Sequence, residues 1–143
     1  MATAVLDSNV LIASHDRDDE RHESSRAIVR GIDRGELPEG RVTNYVVAET
    51  LNLLHSRHSH GLAVDTYDRL NRSAGVRIER VTETDFERGS TLFRTYEGLS
   101  FVDAVLVAYM NRENITYIYS FDDDFDALDS VTRLGTDADP FGR

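Results

Sequence analysis

Four acidic residues, Asp7, Glu49, Asp103 and Asp122, stand where a carboxylate is either out of place or well aimed. Asp103 has the most demanding setting. The segment SFVDAVLVAYM is apolar all round a helical wheel, which predicts a helix buried on most sides. Asp103 falls in its first turn, where capping of Ser100 and the helix dipole both favour an acid. A buried ionised carboxylate still costs several kcal/mol unless it is paired, and the chain has no lysine to pair it. A bound cation resolves that conflict.

The other three are weaker alone. Asp7 ends an apolar run and precedes a helix, so it reads equally as an N-cap or as a ligand at a strand end. Ser8 and Asn9 follow it, and both are able to bond ligand oxygens or tie the turn. Glu49 lies in YVVAETLNLL at the edge of an inward stripe of Val46, Val47, Thr50, Leu51, Leu53 and Leu54. A boundary glutamate with a packed stem and a solvated head has the same signature. Asp122 follows a strand in the run SFDDDFD, where most acids form a solvated loop; Asp122 is the first choice to point inward and Asp124 the second.

The functional reading rests on the set. If the four converge, each close pair repels by about 4 kcal/mol at 4 Å and an effective dielectric of 20. Such a cluster survives by protonation, by arginine pairing or by a metal. Mg²⁺ prefers oxygen ligands, keeps several waters and takes one or two carboxylates directly. Remaining acids then orient its waters from outside. This is the composition of a site for metal-assisted phosphodiester hydrolysis.

The elements that must position these residues follow from periodicity. Residues 2–6 form a short buried strand, and 8–14 a short helix. An amphipathic helix covers 21–34, GELPEG turns the chain, and a short strand at 41–43 leads to a helix over 45–58. Residues 61–74 form the next helix and 76–81 an alternating strand. Thr82 and Asp85 have capping-box spacing for a helix to 97. Ser100 opens a helix to about 114, with strands at 117–119 and 131–134 and a short tail from about 136. Alternating strands and helices imply a parallel α/β sheet within one domain. Its ligands gather at the carboxyl ends of the strands, where Asp7 and Asp122 fall.

Composition bounds the rest. With no cysteine, disulfides, zinc-thiolate sites and thiol catalysis are excluded. No stretch approaches the roughly 18 apolar residues of a membrane helix, and the opening MATAVLDSNV reads as a strand, not a signal peptide, so the cytoplasm is expected. Acids outnumber bases 26 to 16, for a net charge of −10, and every base is arginine. GC-rich codon usage would give the arginine bias; adaptation to molar salt, where charge repulsion is screened within about 3 Å, explains both features together. An acidic chain is a poor non-specific binder of nucleic acid, so any RNA it handles must be engaged by local arginines and a metal.

VLDSNVLI, the glutamate of VVAETLNLL, SFVDAVLVAYM and YSFDDDF resemble, in order and spacing, the four acidic motifs of PIN-domain ribonucleases. The chain is most similar to the VapC-like toxins of toxin–antitoxin pairs. The resemblance implies an α/β three-layer sandwich whose central, mainly parallel sheet of four to five strands is flanked by helices. It matches Asp7, Glu49, Asp103 and Asp122 to the family's acids and Ser8 and Ser120 to hydroxyls flanking the metal. It implies RNA cleavage with Mg²⁺ or Mn²⁺ that leaves a 5′ phosphate and a 3′ hydroxyl. It also implies a homodimer and a cognate antitoxin whose carboxyl-terminal segment occupies the active-site groove. In this reading Asp7 and Asp103 ligate the metal directly or through water. Glu49 and Asp122 position the attacking water, and Ser8, Asn9 and Ser120 brace the shell.

Competing readings remain open at this level. HSRHSH places His55 and His58 on one helical face with His60 beyond, as a metal-free ribonuclease or a transition-metal site would need; a polar helix end explains it more simply. Receiver domains and haloacid-dehalogenase phosphatases need a lysine that is absent, and no glycine-rich nucleotide loop occurs. RNA-processing relatives carry the same acids, and a module that binds RNA or a partner without cleaving would also keep them. Arg17, Arg21 and Arg94 are candidate RNA contacts, although solvated helix arginines look the same.

Overall fold

The computed structural model describes residues 2–142. Strand β1 (Thr3–Leu6) is followed by α1 (Ser8–His15) and α2 (His22–Asp33), then β2 (Glu39–Thr43), α3 (Asn44–Arg57), α4 (His60–Arg72) and β3 (Val76–Glu79). The second half runs α5 (Glu83–Thr95), α6 (Phe101–Glu113), β4 (Tyr117–Tyr119), a 3₁₀ turn (Asp123–Ala127) and β5 (Thr132–Leu134). Five strands form one sheet in the order β3-β2-β1-β4-β5, and every pairing is parallel. This is the α/β architecture expected, with its upper strand count.

The topology decides where a ligand belongs. From β1 the chain moves outward through β2 to β3, then returns to the other side of β1 as β4 and β5. The switch point therefore lies between β1 and β4, at their carboxyl ends, where connections diverge and leave a crevice. Asp7 donates its backbone N–H to Tyr119 O at 3.1 Å across that gap. Because all strands are parallel, α3 begins on the same rim where β2 ends. The amino terminus of α6 faces that rim too, since its far end feeds β4.

Helix α6 is the hydrophobic centre. Residues 103–110 are all buried, and Ala104, Val105 and Met110 have no exposed surface. The helix starts at Ser100, whose hydroxyl accepts the Asp103 N–H at 3.2 Å. It stops at Asn114 (φ 56°), in the left-handed conformation that asparagine tolerates. There the Ile115 N–H donates to Met110 O at 2.9 Å. Helix α5 presses on α6 at Gly89, where a Cβ would lie 2.7 Å from Val105 Cα. Among the described residues no helix is long and apolar enough to cross a membrane.

Three local expectations need correction. Strand β2 begins at Glu39, two residues before 41, because Pro38 and Gly40 read as turn formers yet are buried beside the sheet. Acids 123, 124 and 126, expected as open loop, form the 3₁₀ turn capped by Asp122. His58 is not helical: α3 ends at Arg57 and His58 turns to Asp16, with 3.3 Å between Nε2 and Oδ2.

Candidate active site

Asp7 stands at the end of β1, only 3% exposed, and both its oxygens are held. As N-cap of α1 it accepts the Ser8 N–H at 2.8 Å on Oδ1, and Oδ2 accepts the Ser120 hydroxyl at 2.7 Å. So capping and a site role are not alternatives here: one oxygen caps while the other faces β4. Ser120 is fully buried, and its oxygen also accepts the Asp122 N–H at 3.0 Å and the Asn9 amide at 3.3 Å. Asn9 in turn accepts the Phe121 N–H at 3.3 Å. Ser8 donates its hydroxyl to Glu49 Oε1 at 2.5 Å, tying α1 to α3. Through two serines, Asp7, Glu49 and Asp122 are linked in one network.

Asp103 has no such support, and its contrast with Asp85 is instructive. Both occupy the third position of a helix behind a hydroxyl N-cap, and both are buried. Asp85 completes a capping box with Thr82 and accepts a two-pronged bond from Arg112, at 2.8 and 3.0 Å. Burial pushes its carboxyl up, but Arg112 and Thr82 outweigh that and hold it below the usual range. Among the described residues no cation pairs with Asp103. Burial and then the Asp7 charge push it up to about 7, with Ser100 opposing and Asp122 and Glu49 adding to the rise. Burial likewise raises Asp7 to about 6, against bonds from Ser120 and Ser8, with Glu49 and Asp122 adding repulsion.

These influences show which acids lie within electrostatic reach of Asp103. Asp7, Glu49, Asp103 and Asp122 all enter the balance at Asp103. Asp124 enters neither balance; it is exposed, and its own carboxyl is raised chiefly by Asp122. None of the four inner acids has an ion pair with arginine or histidine among the described residues.

The donor set fits a hard divalent cation: oxygen ligands only, two buried carboxyls pushed up, and no internal positive charge. Among the described residues, the one group of three carboxylates with oxygens all within 4.8 Å of each other is Asp122, Asp123 and Asp124, two of them exposed. Asp7, Glu49, Asp103 and Asp122 do not meet that spacing. An ion that keeps several waters and takes one or two carboxylates directly does not require it. Asp7 and Asp103 are the pair most in need of such an ion.

Two cations lie near the site. Arg21 stacks its guanidinium over Phe121, 5.0 Å from the ring centre, next to Asp122. Arg133 of β5 forks onto Asp126 at 3.0 Å and reaches Ser120 O at 3.5 Å, bracing the acidic turn from behind. Arg21 was a candidate RNA contact, but nothing in the sequence pointed to its ring partner; Arg133 carried no signal at all. Arg17 and Arg94 are exposed. His55 and His60 stack edge-on at 5.7 Å, while His58 bonds elsewhere, so the three histidines do not converge.

The 23S rRNA-specific endonuclease VapC20 of Mycobacterium tuberculosis is 36% identical over 96 residues, which is 66% of this chain and 72% of that protein. The crystal structure of Mycobacterium tuberculosis VapC20, described as a Sarcin-Ricin loop cleaving toxin, matches with a TM-score of 0.74 at 29% identity. It covers 87% of this chain and 93% of that one. VapBC2 from Rickettsia felis, solved on a DNA fragment from its promoter, has a TM-score of 0.70 over 92% of this chain and 97% of that one. At 10% identity it supports the fold alone. The sequence model of the PIN domain matches residues 4–131, nearly the whole length. The chain belongs to the PIN domain family.

Proposed function

We propose that this chain is a Mg²⁺- or Mn²⁺-dependent endoribonuclease, acting in the cytoplasm as the toxin of a toxin–antitoxin pair. The observation that carries the catalytic reading is the uncompensated pair Asp7 and Asp103, buried together with carboxyls pushed to about 6 and about 7. A protein keeps such a pair where a cation is to be bound. When bound, a divalent ion would activate water and offset charge growing on the phosphate. Asp7 and Asp103 are its ligands, directly or through water. Ser120 fixes the free oxygen of Asp7, so that carboxylate needs no rearrangement when substrate arrives. Ser8 orients Glu49, which with Asp122 positions the attacking water. Asn9 holds the 120–121 backbone that aims Asp122 inward, and Asp124 stands outside this set.

Large-subunit ribosomal RNA is the first substrate to assay, given the specificity named for VapC20. Cleavage with Mg²⁺ or Mn²⁺, lost in EDTA and in Asp7→Asn and Asp103→Asn, with 5′-phosphate products, is the expected result. RNA binding without cleavage under these conditions would make the chain a non-catalytic module. Cleavage resistant to EDTA and yielding cyclic phosphates would assign the chemistry elsewhere. For the toxin role, induced expression is expected to arrest growth and a co-expressed antitoxin to relieve it; growth without arrest would favour an RNA-processing role. A homodimer is supported by Phe86 and Phe93 of α5, 45% and 46% exposed and stacked around Phe101.

A further inference from the structure

We propose that a cavity between α1, α2, α4 and β3, which shares no residue with the acidic cluster, is a nucleotide-binding site whose arginines hold the phosphate and whose apolar floor carries the base. The cavity encloses about 280 Å³. Arg26 and Arg30 of α2 and Arg69 of α4 stand at its rim, over a floor that includes Leu11, Val29 and Leu70. The volume is near the roughly 300 Å³ lower bound of small-ligand sites, more than a bare phosphate fills.

Charge makes this place exceptional. The chain carries −10 overall, yet the cavity lining has three arginines against one carboxylate, Asp33. Asp33 is itself engaged by the Ser73 hydroxyl. Four other surface cavities have no arginine in their linings. Arg26 and Arg30 lie one turn apart on the same face of α2, a like-charge spacing that weakens a helix. Neither has a carboxylate partner among the described residues, although acids are in excess. Arg69 pairs only with the exposed Asp65, at 3.1 Å. An external anion relieves this local excess.

The geometry favours phosphate over carboxylate. Guanidiniums approaching from two helices need an acceptor with oxygens on several sides, and a phosphate offers more such directions than a carboxylate. The apolar floor suits the flat body of a base. His15 lines the same cavity, and burial with the nearby Arg69 keeps its imidazole below its ordinary pKa, leaving a neutral ring for a base edge. Helix α1 links this cavity to Asp7: Leu11 of the lining stands one turn, roughly 6 Å, along the helix from Asp7. A nucleotide here is either free or part of an RNA strand running along α1. The site does not depend on the nuclease reading, because its occupancy is read without cleavage.

The test is an NMR titration of the ¹⁵N-labelled full chain in EDTA with adenosine monophosphate, inorganic phosphate and a short single-stranded RNA. Shifts are expected at Leu11, His15, Val29 and Leu70. Arg26→Gln with Arg30→Gln, and separately Arg69→Gln, should each weaken binding about tenfold, as loss of charge-assisted bonds implies. Arg88→Gln on the exposed face of α5 should leave binding unchanged. Saturation by the mononucleotide identifies a free-nucleotide site, whereas response to RNA alone identifies a strand subsite; both support the proposal. Equal affinity in parent and variants overturns it. So does inorganic phosphate binding as tightly as the nucleotide, or no shift at these residues with either the mononucleotide or the RNA.

Discussion

Replacing Asp103 by asparagine should make the metal-free protein more stable while removing its response to divalent ions. The Asp103 carboxyl is raised from 3.8 to about 7 in the folded chain. At 1.36 kcal/mol per unit, ionising it there costs about 4 kcal/mol, an upper bound since neighbouring acids relax when one charge goes. The folded chain holds this proton up to about pH 7, whereas the unfolded chain releases it near 3.8. Stability from this group therefore falls as pH rises through that window, and the full deficit stands above it. Asparagine has the same shape and no charge. The variant should gain about 2–4 kcal/mol at pH 8, or roughly 6–12 °C in Tm for a chain of this size. At pH 5 the gain should be less than half as large. Thermal unfolding in EDTA at the two pH values measures this directly. With excess Mg²⁺ the order should invert, because the parent gains the ligand's binding energy and the variant little of it. A variant no more stable than the parent at pH 8, or equally stabilised at both pH values, refutes the claim that Asp103 is a buried charge awaiting a cation.

Other perturbations follow from the same network. Ser120→Ala removes the hydroxyl that lowers the Asp7 carboxyl, so the acid limb of RNA cleavage should move to higher pH; an unshifted profile would detach Ser120 from Asp7. Gly89→Ala drives a methyl into Val105 and should cost about 1–3 kcal/mol by denaturant unfolding, with an unchanged midpoint contradicting the close α5–α6 crossing. Phe86→Glu with Phe93→Glu should yield monomers by light scattering, and an unaltered mass would place the dimer contact elsewhere. If the acidic, lysine-free composition reflects salt adaptation, Tm should rise from low to molar KCl; a flat response favours codon bias.

Much of the fold was legible because periodicity and caps agree. Ser100, Thr82 and Asp7 each mark a helix start in the sequence, and each caps one in the structure. What stayed hidden depends on contacts far apart along the chain. Thr82-x-x-Asp85 and Ser100-x-x-Asp103 look alike, yet Arg112 neutralises the first acid and nothing neutralises the second. That distinction lies in the packing of α5 on α6, not in either motif. Asp122 and Asp124 are equivalent letters in SFDDDF; the 3₁₀ turn separates them, leaving Asp122 half-buried as its cap and within electrostatic reach of Asp103, and Asp124 exposed. Glu49 carried little signal because its partner, the Ser8 hydroxyl, lies 41 residues away in the sequence.

Assembly of acids from distant segments into one divalent-cation site around Asp7 and Asp103 is read out by soaking a crystal of the parent chain in Mn²⁺. An anomalous peak is expected within direct-ligand range, about 2.0–2.3 Å, of an Asp7 or Asp103 oxygen. That peak should be lost in both Asp7→Asn and Asp103→Asn. A peak held instead by Asp122, Asp123 and Asp124 on the exposed turn, or none at saturating Mn²⁺, would contradict it.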